Sequence, residues 1–338
     1  MTQVPPLAGP TQSVGPRRPG SARRTSNLDL HPQADGRLVL AGRARDALTH
    51  DDGTTTVAGA ALLRLVVDTE RRVERIQAHP SGGALQQLVG RRVTSGFRTA
   101  VWRALPDGYD AGSPVHLLLD DVPGGLVISG FTRRRVARAV GGDDDPRPAN
   151  APVTRALDVC VGWATDSDAA RRTAVTGHSP PPDWTPPAPE LAAADPVGWH
   201  TMTSLATHGM RRARRLDAWW EDGALAADVG FRDTFADLDG TERVLHEYSA
   251  RVLVVDDVVE HIEATAHVLP HHECPLGARS ARRVLGRPVT ALRDWVSMEL
   301  FGPTTCTHLN DLLRGLTDLP ALAALAGPAR ASGDTGVQ

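Results

Sequence analysis

The apolar positions fall into two kinds of pattern that occur twice along the chain. Extended segments are expected at about residues 36–48, 55–68 and 72–79, where Leu63-Arg64-Leu65-Val66-Val67 alternates and is rich in β-branched residues. A second set is expected at about 223–235, 243–256 and 258–268, around Val252-Leu253-Val254-Val255. Asp-Gly pairs and the Asp-Asp after Val255 supply the turns. Helical spacing follows each set, at about 82–92, 94–105 and 116–128, and again at about 275–286, 288–301 and 306–317. In the last of these the stripe Leu309, Leu312, Leu313, Leu316 follows two threonines that are N-cap candidates. Cys306 is thereby expected at a helix N-terminus, where the macrodipole favours a thiolate.

The two sets match residue by residue. Arg23-Arg24 recurs as Arg211-Arg212 and Asp29 as Asp217, 188 positions later in each case. Arg45-Asp46 recurs as Arg232-Asp233, and Val73-Glu74-Arg75-Ile76 as Val259-Glu260-His261-Ile262. Gly90-Arg91-Arg92-Val93-Thr94 and Leu118-Leu119-Asp120 reappear, in order, as Gly286-Arg287-Pro288-Val289-Thr290 and Leu309-Asn310-Asp311. The reading is an α+β internal duplication, each copy an antiparallel three-stranded meander followed by three helices. Residues 1–22 are expected to be a disordered tail, 23–140 the first copy, 141–198 a linker with one docked segment around Cys160, 199–320 the second copy, and 321–338 a second disordered tail.

Composition narrows the function classes. Of the 338 residues 41% are hydrophobic and 23% charged, enough for a sizeable core. The net charge of −3 gives no electrostatic case for nucleic acid. No run is long enough to cross a membrane and no apolar signal-peptide core is present, so a cytoplasmic protein is expected. All 37 basic residues are arginine, which excludes Schiff-base, pyridoxal-phosphate and P-loop lysines. Three cysteines do not suggest a disulfide framework.

Comparing the copies separates fold from candidate chemistry. His246-Glu247-Tyr248 stands where the first copy has Gly59-Ala60-Ala61. Leu269-Pro270-His271-His272-Glu273-Cys274-Pro275 surrounds an insertion special to the second copy, and Cys306, His308 and Asn310 replace Val115, Leu117 and Leu119. His246, Cys274, Cys306 and His308 are therefore the candidate ligands for Zn²⁺ or iron. Asp311, Glu247, Tyr248 and Asn310 are the candidates for moving protons or orienting ligands. A metal-dependent lyase or hydrolase acting on a small organic substrate is the leading expectation, with a homo-oligomer possible. A metal-free enzyme with Cys306 as nucleophile, and a metal-free binding protein with the Cys/His set in its core, stand beside it. The Arg211, Arg212, Arg214, Arg215 cluster reads as structural, pairing with Asp233 or Asp46, or as an anion clamp.

The runs MRRARRLDAW, FRD, LHEY, LPHHECP, LGRPVTALR and CTHLNDLLRGL resemble the bacterial family of unknown function DUF2889, over about residues 23–320. That resemblance implies a soluble bacterial protein and no particular chemistry. More remotely, the second copy is similar to iron–sulphur scaffold proteins of the NifU/IscU type. That likeness implies, as an alternative function, a scaffold or carrier for iron–sulphur clusters or sulphur transfer, with the ligand roles falling to His246, Cys274 and the Cys306/His308 pair. It departs from the family in having His246 in place of the first Cys, a longer loop before Cys274, and Thr307 between a Cys and a His in reversed order.

Overall fold

The computed structural model describes residues 3–94, 96–107, 112–139, 157–177 and 179–327. Eight strands form one antiparallel sheet: β1 (Ser21–Pro32), β2 (Leu38–Thr49), β3 (Thr55–Val67), β4 (Val73–His79), β5 (Met210–Glu221), β6 (Ala224–Ala236), β7 (Glu242–Val255) and β8 (Val258–Val268). Their order is β4-β3-β2-β1-β5-β6-β7-β8. Two four-stranded meanders thus meet through their first strands, with β1 antiparallel to β5.

Four strands per half, rather than three, correct the expectation. β1 and β5 show no alternation because both of their faces are covered: ten consecutive residues, Ser21–Leu30, are buried. A strand buried on one face alternates; a strand buried on two does not. Here the buried positions include arginines, so hydropathy alone hides both elements.

The helices lie on one face. α1 (Phe97–Ala104) and α2 (Pro114–Ala139) follow the first meander. α3 (Asp168–Thr176) lies in the connection, and α4 (Leu292–Glu299), α5 (Thr307–Gly315) and α6 (Leu319–Leu325) follow the second meander. The first helical segment of each half is a 3₁₀ turn instead of an α-helix, at Gly82–Leu88 and Cys274–Val284. Two apolar cores form beneath these helices, and they interlock. Ala22 of β1 belongs to the second core, whereas Met210, Phe235 and Leu245 belong to the first. The α5 stripe Leu309, Leu312, Leu313 and Leu316 is buried as its spacing predicts, each side chain contributing about 1.5–3 kcal/mol.

The opposite face is covered at its centre by segments expected to be tail and linker. Residues 8–14 form a strap: Ala8 and Gly9 donate from their backbone N–H to the carbonyls of Ala266 and His267 on β8, and Val14 packs with Trp199 and Ala213. The composition of this stretch suggested disorder, but Pro10, with Pro5 and Pro6 just before the strap, suits an extended chain docked on a surface. Residues 321–325 lie in α6, where Leu322 and Ala323 are buried. The Cys160 segment lies against the loop before α5, with Val161 N–H donating to Thr305 C=O at 2.8 Å. Residue 140 of the expected first copy and residues 141–156 and 328–338 of the expected linker and tail lie outside the described residues. No helix among the described residues is long and apolar enough to cross a membrane.

Candidate metal centre

The site begins with a row of residues across the sheet. Leu28 of β1, Arg212 of β5, Asp233 of β6 and His246 of β7 are successive cross-strand partners. The opposite half carries the row Leu216, Arg24, Asp46, Gly59. In both rows the Arg grips the Asp: Arg212 Nε–Asp233 Oδ1 at 2.9 Å, and Arg24 Nε–Asp46 Oδ1 at 2.7 Å. A bulge follows the Asp in each, between Asp233 and Thr234 and between Asp46 and Ala47. A bulge re-aims the side chains beside it. In the second half it leaves His246 Nδ1 3.3 Å from Asp233 Oδ2. In the first half the matching position is Gly59 and carries no imidazole.

The helix side supplies the third group. His308, in the first turn of α5, places its Nε2 3.9 Å from the same Asp233 Oδ2 and stacks its ring on His246, with centroids 3.5 Å apart. One ligand atom each from Asp233, His246 and His308 lie within 4.8 Å of one another. Burial pushes the pKa of both imidazoles down, and for His308 the neighbouring His246 adds to the effect. Both are therefore neutral at neutral pH, the form that binds metals. Burial works to raise Asp233, but the Arg212 charge, the adjacent His246 imidazole and the Arg212 hydrogen bonds hold it well below the usual carboxylate range. His246 Nδ1 is buried and accepts or donates no hydrogen bond.

Around this triad runs a buried ion network. Arg212 reaches Asp311 at 2.7 Å and Asp121 at 3.5 Å, Arg98 reaches Asp311 at 2.9 Å, and Arg214 Nε reaches Asp121 at 2.8 Å. Arg314 pairs with Asp120, and Asp318 takes both Arg293 and Arg24. Arg24, Arg98, Arg212, Arg214, Arg293 and Arg314 thus face Asp46, Asp120, Asp121, Asp233, Asp311 and Asp318, an even balance of charge. The Arg cluster around β5 is structural here, and Arg212 and Arg24 take the Asp233 and Asp46 partners the sequence offered.

The other expected site residues are dispersed. Cys274 and Cys306 do not join the two histidines in that ligand group; they lie in the second core with Cys160 and Tyr248 as neighbours. Burial pushes the Cys160 thiol up to about 12, and Cys274 and Cys306 also rise through burial. Cys306 does occupy the N-cap of α5, yet the thiolate expected there does not form. Desolvation in an apolar core outweighs the dipole of a nine-residue helix. Among the described residues, the side chains that converge are therefore Asp233, His246 and His308, without the two cysteines.

Glu247, next to His246 on its strand, points to the opposite face, where its Oε1 accepts from Thr11 N–H and from Arg232. Tyr248 is fully buried. The Asn310 amide donates to Leu300 C=O at 2.6 Å and so holds the loop before α5. Asp311 is engaged by Arg212 and Arg98, and these charges hold it ionised against its burial. The comparison of halves missed Asp233 because Asp46 matches it: a shared residue reads as part of the framework.

Residues 210–321 match the family model described as Protein of unknown function (DUF2889). The second half of the chain is thus similar to that family, over a shorter span than the motifs suggested. No curated protein and no solved structure matches the chain.

Proposed function

We propose that the second half holds one divalent transition-metal ion, Zn²⁺ or Fe²⁺, through His246 Nδ1, His308 Nε2 and Asp233 Oδ2. The observation that carries this reading is the convergence of those three ligand atoms within 4.8 Å. A tetrahedral Zn²⁺ with bonds of about 2.0–2.1 Å sets its ligand atoms about 3.3–3.4 Å apart. The separations of 3.3 and 3.9 Å from Asp233 Oδ2 approach that geometry. Two imidazoles and a carboxylate also match the ligand set of non-haem Fe(II) centres. Arg212 then acts as the group that fixes the carboxylate from behind, and its charge is offset by Asp311 and Asp121.

Three protein ligands leave coordination positions for water or a substrate oxygen, which supports a metal-dependent lyase or hydrolase acting on a small organic molecule. The side chain of His308 is the most exposed of the three, at 15%, so the open side lies toward α5. Descent from a duplicated unit accounts for the paired rows, with the first half keeping the Arg24–Asp46 framework and lacking both histidines. The iron–sulphur scaffold alternative has less support, because its thiols lie protonated in the core.

Elemental analysis of protein purified without chelator tests the proposal. About one zinc or iron per chain is expected in the wild type and in a C274A/C306A variant, and none in an H246A/H308A variant that retains its circular dichroism. Metal-free wild type, or metal retained by the histidine variant, overturns it.

A further inference from the structure

The sheet face opposite the helices is treated differently in the two halves. In the second half the strap crosses it: Thr11 N–H donates to Glu247, Arg232 donates to Thr11 C=O, and Gly9 C=O meets His267 Nδ1. The arginines beneath are matched by acids, with Arg232 on Glu247 and Arg251 beside Glu221. In the first half the same face is open. Its cross-strand rows read Asn27, Arg43, Leu62, His79 and Asp29, Ala41, Arg64, Gln77, with Val66 beside Arg75. Leu62 is 51% exposed, and a 450 Å³ hollow lies over these rows.

Charge distinguishes the open face. Arg43, Arg64 and Arg75 make no ion pair among the described residues, and the one carboxylate in these rows, Asp29, is taken by Arg211 at 2.8 Å. We propose that the open face of β2–β4 is a docking surface for an extended, acidic segment of a partner protein. The strap shows that this kind of sheet face takes an extended chain. Alternate side chains of a docked strand point toward the sheet, so acidic residues at every second position meet Arg43 and Arg64 while Leu62 and Ala41 give apolar contact.

Fluorescence anisotropy with a labelled octapeptide of alternating Glu and Thr, against its Gln/Thr counterpart, tests this surface. The wild type is expected to bind the Glu peptide roughly tenfold tighter, with affinity falling as salt rises. The exposed-surface variant R43E/R64E is expected to lose that preference while its melting temperature stays unchanged. Equal binding of both peptides, undiminished binding by the variant, absence of binding, or tighter binding of a labelled oligouridine overturns the proposal.

Discussion

At the scale of single residues, chemistry here follows burial more than identity. Cys306 occupies a helix N-cap but lies in an apolar core, so its thiol stays protonated. His116, His200 and His271 are each pushed down by burial to about 4. Their depressed values give a definite pH dependence. The unfolded chain binds protons at these imidazoles below about 6.5 while the folded chain does not until about 4. Stability is therefore unaffected by these groups above that window and declines as pH falls through it. Thermal melts between pH 7 and pH 4.5 are expected to show a steadily falling midpoint, and a midpoint flat across this interval would contradict neutral burial of the three rings.

At the scale of elements, the central strands carry a buried charge lattice. Arg212 is fully buried and is shared by Asp233, Asp311 and Asp121. Removing one partner of such a lattice leaves charges buried without compensation, a loss of about 3–5 kcal/mol. R212M is therefore expected to lower the urea midpoint strongly, and R24M, which strands Asp46 and takes one of two arginines from Asp318, to do the same. Exposed R37M, whose partners Asp35 and Glu74 are also exposed, serves as the comparison and should leave the midpoint almost unchanged. Equal effects for all three substitutions would contradict the assigned role of the lattice.

At the scale of the whole molecule, the halves depend on each other. β1 and β5 pair along ten residues. Arg23 pairs with Asp217 and Arg211 with Asp29, reciprocally, across this seam. Asp120 of α2 meets Arg314 of α5 over the same boundary, and the cores exchange side chains. A fragment of residues 203–327 alone, although it spans the family match, would expose the β5 edge and its unpaired arginines. It is expected to lack a cooperative melt by circular dichroism; a sharp transition near that of the full chain would show that the seam is dispensable.

What the sequence determined by itself is what repeats locally. The alternation of β3, β4, β7 and β8, the Asp222-Gly223 hairpin with both residues at positive φ, the α5 stripe and the one-sided presence of His246 and His308 are all set by short-range pattern. Tertiary structure alone decided the rest. β1 and β5 became strands because coverage of both faces buries their arginines against aspartates from other elements. Asp233 became a candidate ligand because a bulge and the placement of α5 bring two imidazoles to one carboxylate oxygen. The cysteines left the site because the packing of residues 158–163 and 274–284 against α5 encloses them. In each case the deciding partner is remote in sequence, and only the fold brings it within reach.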